Sequence, residues 1–250
     1  MSAGGTAAGR TADPGAALIT YYDDATGERT ELSAAALGGL VARTANLLTE
    51  GCGLGPGSRA ALLLPPHWQT AAVLMGCWTA GLPVAFHSAA LAGLPRLGAD
   101  AVEPYDATFV SLVRLNDILE DVPAATHRFV LGLAAAGRPL EQPPADYRDY
   151  AAETGAYGDD LRRYDPPRAY ASASPDGTTF GQWGQIAQEL AAIRGLRPGD
   201  RVLVDAAENE HPVKWLLAPL SVGASVVLCA NLDPAAVPSR TAAERVTRLI

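Results

Sequence analysis

The chain has 250 residues, 48% of them hydrophobic and 18% charged, which is enough apolar surface for one large core or two smaller ones. A formal net charge of −8 excludes the broad basic stripe that a general nucleic-acid footprint needs. Eighteen of the nineteen Lys and Arg residues are arginine, so chemistry that depends on lysine has one candidate, Lys214.

Residues 1–16 contain no apolar run of the kind a signal peptide carries and read as a disordered tail. Leu18–Tyr22 and Arg29–Leu32 read as two short strands joined by a turn in which Gly27 supplies positive φ. Ser33 caps a helix whose apolar residues Leu37, Leu40, Val41, Thr44, Leu47 and Leu48 share one face. The turn Gly53–Arg59 then feeds Ala60–Leu64, an unbroken apolar run suited to a buried parallel strand. Pro65–Pro66 opens a helix that runs to about Ala80, and Pro83–Phe86 is a second buried strand. The most apolar stretch, Thr70 to Phe86, is broken by Gly76, Gly81 and Pro83, which argues against a membrane span.

His127–Leu133 is a further strand, and Gly137 to Pro167, rich in Pro, Tyr and Asp, is an irregular connection. Asp233 and Pro234 start a last helix as cap and first residue, and the chain ends within it or just after it. Cys52, Cys77 and Cys229 are far apart, with no Cys/His ligand spacing, and suit reduced thiols in a cytoplasm. The expected setting is cytoplasmic, with neither nucleic acid nor membrane as a partner.

An internal repeat organises this pattern. Gly53, Leu54, Pro56, Gly57 and Arg59 reappear, 142 positions later, as Gly195, Leu196, Pro198, Gly199 and Arg201. At the same offset Leu74 becomes Leu216, Gly81 becomes Gly223 and Val84 becomes Val226. Each copy reads helix, G-L-x-P-G-x-R turn, apolar strand, helix, Gly, apolar strand. The expected divisions are 1–16 as tail, 17–136 as a first α/β unit, 137–168 as connection and 169–250 as a second α/β unit.

The stretch from Arg29 through Phe86 resembles the opening of the acyl-adenylate-forming (AMP-binding) enzymes, with their helix, Pro-Gly turn and strand, apolar helix ending in Ala-Gly, and V-P-x-x strand. Leu196 to Leu228 is similar to the segment after the phosphate loop of those enzymes. The whole chain also resembles a group of short actinobacterial proteins of unassigned role that stop at the same place. The resemblance implies two stacked, pseudo-symmetric αβα subdomains with parallel sheets, a truncated form of the family's N-terminal domain, with helix 33–50 crossing to the second.

It also implies a site. The family's Ser/Thr/Gly-rich phosphate loop falls on Tyr170–Gly181, where Ser172, Ser174, Gly177, Thr178 and Thr179 keep the composition. The loop lysine is missing, since Phe180-Gly181-Gln182 follows Thr179, and Asp176 adds a negative charge. A turn capping the helix near Gln182 is the competing reading of the same residues. His211 matches loosely the residue that lines the family's acyl pocket, and His87 ends a strand where α/β sheets bind ligands. The family's adenine and ribose motifs and its catalytic C-terminal domain would lie beyond residue 250.

No Walker loop and no catalytic triad can be assembled from the sequence, and the polar run Glu208–His211 lacks a second cluster for a metal. The sequence therefore points to a degenerate, non-catalytic relative of the adenylate-forming N-terminal domain that acts as a binding or scaffold protein. Self-association or a protein partner would cover its apolar surfaces. ATP or AMP would be the ligand of an alternative nucleotide- or acyl-binding module. A ligase subunit completed in trans by a partner chain is the third reading.

Overall fold

The computed structural model describes residues 15–92 and 104–250. Most of the tail named above thus lies outside the described residues. Among the described residues two five-stranded sheets form the frame. One contains β3 (Ala60–Leu63), β4 (Val84–Phe86), β5 (Tyr105–Ser111), β6 (Ala125–Leu131) and β7 (Arg148–Asp149), in the order β4-β3-β5-β6-β7, all parallel. The other contains β1 (Ala17–Asp23), β2 (Glu28–Ser33), β8 (Arg201–Asp205), β9 (Ser225–Ala230) and β10 (Arg248–Leu249), in the order β10-β8-β9-β1-β2. Among its described strands only β2 runs antiparallel.

The amino-terminal hairpin thus belongs to the second sheet, not to the unit of residues 17–136 in which the sequence places it. The reason is burial. Ile19, Thr20 and Tyr21 are at most 5% exposed, so β1 is covered on both faces, and it is covered by pairing Ile19 beside Val226 in an interior position of the sheet.

The repeat is expressed in the strand pairing and in the turns. Ala60 pairs with Val84 and Leu62 with Phe86, and 142 positions on Val202 pairs with Val226 and Val204 with Leu228. The Ser58 amide donates to the Gly55 carbonyl as the Asp200 amide does to Arg197, at 2.9 and 3.1 Å. The Leu82 amide donates to Cys77 as the Ala224 amide does to Pro219, at 2.9 and 3.0 Å. Gly57 and Gly199, and likewise Gly81 and Gly223, take positive φ, where a side chain would be strained.

The helices are α1 (Ala34–Asn46), α2 (Trp68–Thr79), α3 (Leu112–Leu115), α4 (Tyr150–Thr154), α5 (Phe180–Ile193), α6 (Ala218–Ser221) and α7 (Val237–Ala243). Ser33 Oγ accepts from the Ala36 amide and caps α1. The start of α2 is His67, not the proline pair. Its Nδ1 accepts from the Gln69 amide at 3.1 Å, while the Pro65 carbonyl takes the Thr70 hydroxyl. Helix α1 lies directly on α2, because Gly76 of α2 has no side chain to keep Thr44 of α1 away. The last helix begins on Asp233 and ends at Ala243, and the chain continues into β10 beside β8. The connection 137–168 contains β7 and α4. One core of buried side chains runs from Ile19 and Val226 of the second sheet through α1 and α2 to Leu62 and Phe109 of the first.

Candidate functional site

The loop before α5 is built by its own sequence. Pro175-Asp176-Gly177 reverses the chain, with Gly177 at φ +88° and the Asp176 carboxylate accepting from the Thr178 amide at 2.9 Å. The amides of Ala173 and Ser174 donate to the Thr178 carbonyl at 2.8 and 3.2 Å, and the Gly177 amide donates to Ser174. The Phe180 and Gly181 amides return to the Ala171 and Ala169 carbonyls at 3.0 and 2.7 Å. Thr179 caps α5. Its hydroxyl oxygen accepts from the Gln182 amide, and the Gln182 side-chain oxygen accepts from the Thr179 amide at 2.8 Å.

From Ala173 to Gln182 every amide except that of Asp176 thus has an acceptor inside the loop, Pro175 having none to offer. A loop that cradles phosphate does so with amides pointing outward. Here they point inward.

The hairpin is fastened to the first sheet at Ala173, whose carbonyl accepts from the Val84 amide at 2.9 Å and from Trp78 Nε1 at 2.8 Å. Ser174, buried, accepts from Trp183 Nε1 at 2.8 Å. The Trp183 indole stacks on the His211 ring, with centroids 5.4 Å apart and planes 17° from parallel. His211 in turn meets Phe86 edge-on at 5.3 Å. A cavity of only about 20 Å³ remains among Trp78, Phe86, Ser174, Trp183, His211 and Leu217, room for about one water.

His211 Nδ1 accepts from the Val213 amide at 3.3 Å, so the neutral ring carries its proton on Nε2. Burial, then the nearby Lys214 ammonium, pushes its pKa below the ordinary histidine value.

Ser174 and His211 are therefore brought together by Trp183, which the sequence reading passes over. The available signal was its place four residues after the Thr179 cap, on the first turn of α5. Ser172 and Gly177 stay exposed on the hairpin, with Thr178 and Thr179 half-buried beside them. His87 does not join the group. Its ring lies edge-on to Tyr105 at 6.1 Å, and its carbonyl accepts from Arg114 Nη1.

Lys214 is exposed on the turn Val213–Leu217, outside the hairpin. The polar run beside it has structural partners. Asn209 accepts from Arg194 at 2.9 Å and donates to the Asp205 carbonyl, and Glu210 accepts from the Ala89 amide and Ser88. Among the described residues no group of three or more His, Cys, Asp or Glu could hold a metal ion. Among them, too, no helix is long and apolar enough to cross a membrane.

Two stacked sheets, one carrying a hairpin fastened to the other, define the fold of the N-terminal part of acyl-adenylate-forming enzymes. The Brucella canis acyl-CoA synthetase superposes with a TM-score of 0.67 at 18% identity, over 96% of this chain and 45% of that one. An anthranilate CoA ligase in complex with anthranoyl-AMP superposes at 0.64 with 16% identity, over 94% and 46%. The N-terminal domain of FACL13 from Mycobacterium tuberculosis follows at 0.59 and 15%, over 92% and 57%. The chain thus spans about half the length of the full synthetases it superposes on.

At the sequence level, a TIGR03089 family protein of Mycobacterium tuberculosis (strain ATCC 25618 / H37Rv) is 40% identical over 251 residues, 96% of this chain and 93% of that protein. The chain belongs to the TIGR03089 family. No family model matches it.

Proposed function

We propose that the chain keeps the adenylate-forming fold as a non-catalytic binding protein and does not itself activate carboxylates with ATP. The observation that carries this reading is the closed hairpin, whose amides from Ala173 to Gln182, that of Asp176 apart, donate to carbonyl and side-chain oxygens of the hairpin and the α5 cap. The hairpin also carries no lysine to answer phosphate charge. Asp176 stands at the tip, and Lys214 lies on a separate turn. The aromatic stack of Trp183 on His211 supports the same reading, because it fills the space beside the hairpin that a reacting acyl group would need.

A binding role is supported by an open apolar groove of about 380 Å³ walled by Leu37, Val41, Met75, Trp78, Phe180 and Leu220. The test is ATP–pyrophosphate exchange with the purified chain, MgATP and aliphatic and aromatic carboxylic acids. The reading expects no exchange above the protein-free blank. Acid-dependent exchange that disappears in Lys214→Ala would sink it.

A further inference from the structure

A second cavity, sharing no lining residue with the Trp183–His211 cavity, lies at the carboxyl end of the first sheet, where parallel sheets place ligands. Its inner chamber, about 140 Å³, is bounded by Trp68 and Gln69 of α2, Arg43 of α1, Tyr150 of α4 and Gly137 of the loop after β6. It adjoins an outer groove of about 380 Å³ along α1, and the two share Leu40, Arg43, Trp68 and Ala136.

Among the described residues, two of the buried polar side-chain atoms without a hydrogen-bond partner belong to residues that line the inner chamber. Gln69, only 4% exposed, has no donor for its Oε1, and Arg43 has no acceptor for its buried Nε–H. Leaving such groups unpaired is costly, and they complement one another. One wants a donor, and the other, carrying positive charge, wants an anionic oxygen. The rest of the lining mixes the apolar side chains of Leu40, Trp68 and Ala72 with the polar Tyr150 and Thr154.

Gly137 lets the loop close over this chamber. A Cβ there would sit 3.0 Å from the Trp68 ring and 3.3 Å from Gln69 Nε2. The neighbouring Ala136 is held at φ +57°, a conformation non-glycine residues take at a cost and one that recurs at ligand sites.

We infer that this cavity is a binding site for a small hydroxy-carboxylate, its hydroxyl donating to Gln69 Oε1 and its carboxylate accepting from Arg43 Nε. The opposing charge is Asp159, which pairs with Arg43 Nη2 at 3.3 Å at the mouth of the groove. Both partners of that pair are well exposed, 41% and 65%, so it is weak and a ligand carboxylate can compete with it. The inference is independent of the closed hairpin and stands or falls apart from it.

The experiment is calorimetric titration of the full chain with 4-hydroxybenzoate and 3-hydroxybutyrate, with benzoate and butyrate as matched probes lacking the donor. At least one hydroxy acid binds, and its partner without the hydroxyl binds at least about tenfold more weakly. Gln69→Leu removes that preference and leaves the unliganded melting temperature equal or higher, since it replaces an unpaired buried group with an apolar one. Asp159→Asn, at an exposed position, tightens binding severalfold by removing the competing carboxylate. Three results would overturn the inference. One is no heat from either hydroxy acid at about 10 mM. Another is equal affinity with and without the hydroxyl. The third is a melting temperature lowered by Gln69→Leu, which would mean that bridging water satisfies these atoms as part of the fold.

Discussion

Substituting Gly76 by Ala should destabilise the protein, although helix propensity alone predicts the reverse. In an exposed helix interior Gly→Ala gains about 1 kcal/mol. Here the added Cβ would lie 2.4 Å from Thr44 Cβ and 2.5 Å from its Cγ2, with the Val41 carbonyl at 3.2 Å. Thr44 cannot turn aside. Its hydroxyl donates to the Leu40 carbonyl at 2.9 Å and shares a 2.6 Å hydrogen bond with Tyr150.

The helices must therefore separate. Overpacking of this kind costs about 1–3 kcal/mol, and the rigid neighbour argues for the upper end, leaving a net loss of about 2 kcal/mol. For a chain of this size that lowers the melting temperature by about 4–8 °C. Thermal unfolding by circular dichroism measures it. A melting temperature equal to or above that of the parent chain would refute the packing of α1 on α2, and with it the walls of both grooves.

Thr179→Ala breaks the reciprocal cap of α5 and should cost about 1 kcal/mol in urea unfolding, while a neutral result would mean the cap is not formed in solution. Burial would raise the Glu244 carboxyl, but hydrogen bonds from Tyr22, Arg29 and Arg201 at 2.6–2.8 Å overcome it and hold the pKa at about 2. With the folded value below the ordinary 4.5, this stabilisation, on the order of 2 kcal/mol, is complete above about pH 5 and is lost as the pH falls toward 2. Glu244→Gln should accordingly flatten the acid limb of stability against pH, and an unchanged limb would contradict it. Trp183→Ala strips the cover from His211 and should raise its pKa toward 6.5, read by NMR titration of the ring, whereas an unchanged value would mean that the stack does not bury it.

The parts of the fold legible in the sequence were those fixed by local chemistry. Glycines with positive φ at Gly57, Gly81, Gly199 and Gly223 mark the turns, and two apolar runs 142 residues apart mark the duplicated strands. What escaped was set by distant partners. Nothing local tells the Leu18–Tyr22 strand that it will pair with Val226–Cys229. Strand β5 is broken in composition by Asp106 and Thr108, and only the fold supplies their partners, the Arg59 amide and the Pro123 carbonyl. Strand β10 has two residues and no period to read.

The hairpin was legible as a place but not as a state. The Ser, Thr and Gly composition of residues 172–179 fits both an open cradle and a closed cap, and only the directions of the amides tell them apart. Trp183, which joins Ser174 to His211, had no motif to announce it.

Those amide directions can be read in solution. Backbone amide NMR of the full chain, with and without millimolar MgATP, reports Ala173, Ser174 and Gly177–Gln182 residue by residue. The closed hairpin predicts slow hydrogen exchange at these amides and no shift on adding nucleotide. Fast exchange without ligand, followed by saturable shifts at these positions with MgATP, would contradict it and return the loop to phosphate binding.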